Sequence, residues 1–259
     1  ALECTIDYCF ATGTVTVSGS GADGNNGGLI GYVWDPSSTV TNCYSTGDVT
    51  GARLDDNVGG LVGKNQGTIE RCWSLSTVIG GDAGDGSGGL VGLNSGTVSR
   101  CWCSGDVTGR SYVGGLVGWV LGSTATIINC FSTGQVNGGS NTIGGLVGSN
   151  EGTITNCYTT GNIPDASANK WGGLVGWCTS SGFIYNSYAT GIISGSSGGL
   201  VGTLAGTISN CGWFRNATGT AVAIYSPSTE LITYNIKDGG GAGYIDDTVD
   251  WFYLKTREV

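Results

Sequence analysis

The chain has 259 residues, of which 51 are Gly, close to one in five, with 3 Pro, no Met and no His. Average Gly usage is roughly 7%. An apolar fraction of 39% with 8 Trp and 11 Tyr excludes a disordered chain, and the lack of a Gly at every third position excludes collagen. Ten Lys and Arg against nineteen Asp and Glu give a net charge of −9 without a basic cluster, so neither nucleic acid nor an anionic membrane surface has electrostatic support as a partner. No apolar run approaches the roughly 20 residues of a membrane-spanning helix.

The opening Ala1-Leu2-Glu3-Cys4 does not resemble a signal peptide, and a processed chain or a fragment would read the same way. A repeat dominates the rest of the chain. Gly-Gly-Leu-Ile-Gly begins at Gly27, and Gly-Gly-Leu-Val-Gly begins at Gly59, Gly88, Gly114, Gly144, Gly172 and Gly198, with spacings of 32, 29, 26, 30, 28 and 26 residues. Between these lies a second block, clearest as Gly152-Thr-Ile-Thr-Asn-Cys-Tyr-Thr-Thr-Gly161, with counterparts around Cys9, Cys43, Cys72, Cys101, Cys130, Ser187 and Cys211. Eight repeats of about 29 residues therefore occupy 1–215.

No 3.6-residue apolar rhythm supports helical repeats, and propeller blades need roughly 40 to 50 residues each. The short Val-, Ile-, Thr- and aromatic-rich runs punctuated by Gly and Asn read as strands and turns. The expectation is an all-β, single-stranded parallel β-helix of about eight coils, three short strands per coil, each coil adding about 4.8 Å.

Alternation assigns the faces. Six residues after the Cys stand Val15, Val49, Val78, Val107, Val136, Ile163 and Ile193, a β-branched file that should point inward. The Cys itself, the small residue two positions on and the mostly Gly position four on share that face. Glycine is expected where the interior is thin and where turns need positive φ, with the Leu of each pentapeptide inward.

Ten Cys without any His argue against a zinc site, and no metal or other cofactor is expected. Cys9, Cys43, Cys72, Cys101, Cys130, Cys157 and Cys211 form one file, read as small buried thiols in a structural ladder. Cys4, Cys103 and Cys178 lie off it, so a disulfide is expected, if anywhere, to involve one of these. The Asn preceding several of the cysteines, at Asn42, Asn129, Asn156, Asn186 and Asn210, reads as an asparagine ladder interrupted by Arg71 and Arg100.

One residue past the Cys comes an aromatic file of Phe10, Tyr44, Trp73, Trp102, Phe131, Tyr158 and Tyr188, expected to point outward as a binding or assembly surface. Thr12, Thr46, Ser104, Thr133, Thr160 and Thr190 run beside it, broken by Leu75; the bulky neighbours and the Leu weigh against an ice-binding face. Asp48 and Asp106, two coils apart on one outer face, form the sole arrangement suggesting a glycosidase carboxylate pair. The loops 21–28 and 80–89 offer oxygen ligands but match no calcium-binding repeat, and Asn216-Ala-Thr218 is a glycosylation sequon.

The seven Gly-Leu-x-Gly pentapeptides, together with the segment after Cys211, resemble the GLUG-motif family, whose repeats occur in large bacterial surface and secreted proteins. That resemblance implies a stalk or surface module, with any catalytic domain elsewhere. The expected protein is a non-enzymatic, extracellular structural or adhesive solenoid. It serves as a rigid stalk or filament subunit, contacting other copies of itself, other surface proteins or glycans through the aromatic file. A carbohydrate-binding or glycan-cleaving β-helix is the alternative. Residues 216–259 are expected to cap the open end, within a longer natural protein.

Overall fold

The computed structural model describes residues 3–18, 24–51, 57–81, 86–139, 142–164, 170–194, 198–213 and 222–224. Among these there is no helix, and every strand pairing is parallel. The second coil shows the plan: strands at Thr39–Thr41, Tyr44–Ser45, Val49–Thr50, Asn57–Gly59 and Val62–Asn65. The first of these belongs to a sheet eight strands deep and the second to another of the same depth. The chain is thus a parallel β-solenoid.

The first five coils each hold five short strands where the sequence pattern suggests three, and the later ones four and three. The reason lies at the corner residue before each ladder Cys. Thr39-Val-Thr-Asn-Cys-Tyr-Ser45 reads as one extended run, but Asn42 sits at φ 52° and turns the chain between two sheets. The equivalent corners are Arg71, Arg100, Asn129, Asn156, Asn186 and Asn210, all near φ 50°. Asn tolerates this left-handed conformation best among non-glycine residues.

Glycine serves a different purpose from the one the turns suggested. Among the described glycines only Gly122 has a positive φ, 91°. Most of the others stand where a Cβ would strike a neighbour, usually backbone. A Cβ on Gly59 would run into the Val62 carbonyl, and one on Gly60 would meet the Gly89 carbonyl of the next coil and the Ser74 hydroxyl across the interior. In every pentapeptide but the last, where Gly199 meets Trp213, this second glycine faces the small residue two past the Cys: Gly89 against Cys103, Gly115 against Ser132, Gly145 against Thr159 and Gly173 against Ala189. Ser45 and Ser132 donate hydrogen bonds across the gap to the Gly60 and Gly145 carbonyls, both at 2.7 Å.

That pinch separates the interior into two apolar lobes. The larger holds Leu61, Leu90, Leu116, Leu146, Leu174 and Leu200, the inward Leu of each pentapeptide, stacked beside the column Val40, Ile69, Val98, Ile127, Ile154, Ile184 and Ile208. In the smaller, Val49, Val78, Val107, Val136 and Ile163 pack against Val58, Val113, Ile143 and Trp171. Nearly all these side chains are fully buried, each stabilising the fold by roughly 1.5–3 kcal/mol. The Val file expected inward is there. Of the proposed cap, only the strand Val222–Ile224 lies within the described residues, where it pairs in parallel with 198–204; the sequon at Asn216 lies outside them.

Candidate functional site

Cys43, Cys72, Cys101, Cys130, Cys157 and Cys211 are buried to 3% exposure or less, and all ten cysteines are free thiols, including Cys4, Cys103 and Cys178, the three off the ladder that any disulfide was expected to involve. The ladder is more than apolar filling. Each thiol donates to the carbonyl two residues earlier, as Cys43 does to Thr41 (3.0 Å) and Cys101 to Ser99 (3.1 Å). In addition, the sulfurs of Cys43, Cys72, Cys101 and Cys130 each accept the backbone N–H of the preceding coil's ladder cysteine, at 3.3–3.4 Å. Ser187 fills the same post, donating to the Tyr185 carbonyl and accepting the Cys157 N–H. Burial pushes the Cys43 and Cys211 thiols up to about 11 and Cys178 to about 12, and raises Cys103 further. Such thiols are poor nucleophiles and poor ligands at neutral pH. Among the described residues no group of three or more Cys, Asp or Glu could hold a metal ion.

The asparagine ladder is real from Asn129 onward: Asn156 donates to Asn129, Asn186 to Asn156 and Asn210 to Asn186, at 3.1–3.3 Å. Further up, Arg71 and Arg100 share the Glu70 carboxylate at 3.6 and 2.7 Å. A second asparagine file escapes the sequence reading. Asn65, Asn94 and Asn150 are fully buried, and each side chain closes a turn on the Gly two residues on, accepting its N–H and donating to its carbonyl. The recurring Leu-Val-Gly-x-Asn-x-Gly is the signal that could have disclosed it.

Outside, the aromatic file stands as one continuous stack. Phe10, Tyr44, Trp73, Trp102, Phe131, Tyr158 and Tyr188 are paired strand to strand in register, with centroids 4.2–5.8 Å apart and planes within 9°. The rings point outward, as parity predicts; Phe10 is 60% exposed and the rest are half-buried. Their faces are turned to one another, however, so solvent meets ring edges. Burial within the stack raises the Tyr188 hydroxyl to about 12.

Beside the rings, Thr12, Ser104, Thr133, Thr160 and Leu75 are exposed. Asp48 and Asp106 lie on the far edge of this face, and each is occupied structurally: Asp48 accepts the Thr77 backbone N–H at 3.1 Å and Asp106 that of Gln135 at 2.8 Å. Asn162 does the same for Ile192. A carboxylate and an amide performing one task in equivalent coils mark a turn-capping position. The acidic loops at 21–28 and 80–89 lie partly outside the described residues.

The model of the GLUG motif matches residues 22–50, 109–137 and 139–163. A crystal structure of a candidate immunoglobulin A1 protease from Bacteroides ovatus is similar in fold, with a TM-score of 0.52 at 17% identity over 85% of this chain and 72% of that one. No curated protein matches. The matched segments fall on the coils described above: three stretches of this chain carry the GLUG motif, and the chain winds as a parallel β-solenoid.

Proposed function

We propose that the chain is an extracellular, non-enzymatic structural module, a stiff solenoid that acts as a stalk or filament subunit and makes its contacts through the outward aromatic stack. The observation that carries this reading is the stack itself: seven rings in register on the outside of a coil whose interior is complete without them. Inward positions are fixed by packing, whereas a continuous half-exposed aromatic ridge has no such requirement and suits contact with another surface. The carboxylates that suggested glycoside cleavage serve as backbone caps, which supports a role without catalysis. Because the ring faces cover each other, sugar stacking along the file has little room, and protein contact is the better fit.

Electron microscopy of the purified protein, with binding to intact cell surfaces measured for the Trp73→Ala/Trp102→Ala variant, tests the proposal. Rods that lose surface or self-contact in the variant are expected. Unchanged contact by a folded variant would overturn the role of the stack, and glycan turnover abolished by Asp48→Asn would overturn the non-enzymatic reading.

A further inference from the structure

At the level of Arg100 the aromatic face has a cross-section that runs from positive to apolar to hydroxyl to negative. On one edge, at the corner preceding the ladder Cys, stand Arg71 and Arg100, with side chains 54% and 58% exposed. The two guanidiniums share the Glu70 carboxylate, and Asp7, at the register position of Glu70 two coils earlier, offsets Arg71, so the positive charge of this edge is concentrated at the level of Arg100. Next come the aromatic ridge and then the Thr file, fourteen positions without a charged residue in a chain of net charge −9. The opposite edge carries Asp48 and Asp106, held in place by their backbone caps.

We propose that this face pairs with the same face of a second copy of the chain, the two solenoids lying side by side and parallel. A two-fold axis along the solenoid, between the ridge and the Thr file, lays the ridge of each copy over the Thr file of the other. It also brings the Arg edge of each copy to the Asp edge of its partner. Arg100 then meets Asp106 of the same coil level, twice by symmetry, and Asn42 meets Asp48. No like charges face each other at any level. The antiparallel arrangement, by contrast, puts ridge on ridge and like edge against like edge. Leu75, 44% exposed and the one residue that breaks the Thr file, lies opposite Trp73 in the parallel arrangement, an apolar pair at the seam.

The stripe is seven strands long, about 30 Å at the usual strand spacing. Being only two side chains wide, it covers far less than the roughly 800 Å² per partner of a standard stable interface. Isolated copies therefore pair weakly, and copies held side by side on a surface or within a bundle pair cooperatively through effective concentration. This inference rests on the contact role proposed for the aromatic stack, and names its partner.

Sedimentation equilibrium over a wide concentration range, with near-ultraviolet circular dichroism as the check on folding, tests it. Concentration-dependent dimerisation of the unaltered chain is expected. Arg100→Asp and Asp106→Arg should each weaken it by at least about tenfold through repeated like-charge contacts. Mixing the two variants in equal amounts should restore it, because each Asp edge again faces an Arg edge. Asp is tolerated at the left-handed Arg100 corner, and Leu75→Lys gives an independent break at the seam. A chain that stays monomeric at the highest attainable concentration overturns the pairing. So does a mixture that fails to recover while Leu75→Lys still disrupts association; that result removes the parallel geometry and leaves the contact role of the stack standing. Association unaffected by all three substitutions overturns both.

Discussion

Cys43 and Tyr44 are neighbours in sequence and belong to files that obey different rules. Past the exposed Cys9 of the first coil the inner file is buried, and every sulfur in it has a hydrogen-bonding post to fill, which is why Ser187 replaces a cysteine and no apolar residue of similar size does. Along the outer file Tyr, Trp and Phe alternate freely, since the sole requirement is a flat ring in register. Inner positions are thus constrained by polar chemistry and by space, outer ones by shape alone. Variation that alters function without harming the fold belongs on the outside.

Raising the pH challenges the buried thiols of Cys43, Cys103, Cys178 and Cys211, which burial holds protonated. The unfolded chain ionises its thiols near their ordinary value of about 8.5, whereas the folded state holds Cys43 and Cys211 up at about 11 and Cys178 at about 12. The stabilisation is fully present below the unfolded value and is lost as pH climbs towards the folded ones. Melting temperature should stay level to about pH 8 and fall steeply above it; a level profile to pH 11 would contradict the burial of the ladder.

Single substitutions grade the same contrast. Gly115→Val sets a branched side chain against the Gly145 carbonyl and the Ser132 hydroxyl, and should cost more than about 3 kcal/mol in denaturant unfolding. Cys101→Ala removes the acceptor for the Cys72 N–H and should cost about 1–3 kcal/mol, with Cys101→Ser distinctly milder. Equal losses for the two would mean that packing, and not hydrogen bonding, governs the file. On the outer side, Trp73→Ala forfeits two stacking partners, worth about 1–2 kcal/mol together, and its main effect should be on association.

Much of this was legible in the sequence. Period, parity and the β-branched file placed Val49, Leu61 and Tyr44 on their correct faces, because alternation along a strand is a geometric necessity. What the residues did not disclose was how each small side chain is used. From the second coil on, the left-handed corner before each ladder position belongs to Asn or Arg, whose side chains can bond from coil to coil in a parallel stack; most glycines are kept for contacts closer than a Cβ permits. Ring orientation also lies beyond a pattern argument: parity gives the direction of a side chain, and only the coil spacing turns its face to its neighbour.

The separation of inside from outside is tested most directly by counting reactive thiols in the native protein with a thiol-specific chromophore, before and after denaturation. Two groups, Cys4 and Cys9, should react at once, and the eight buried ones only on unfolding. Five or more reacting in the native state, or fewer than ten in total after denaturation without reductant, would contradict the account.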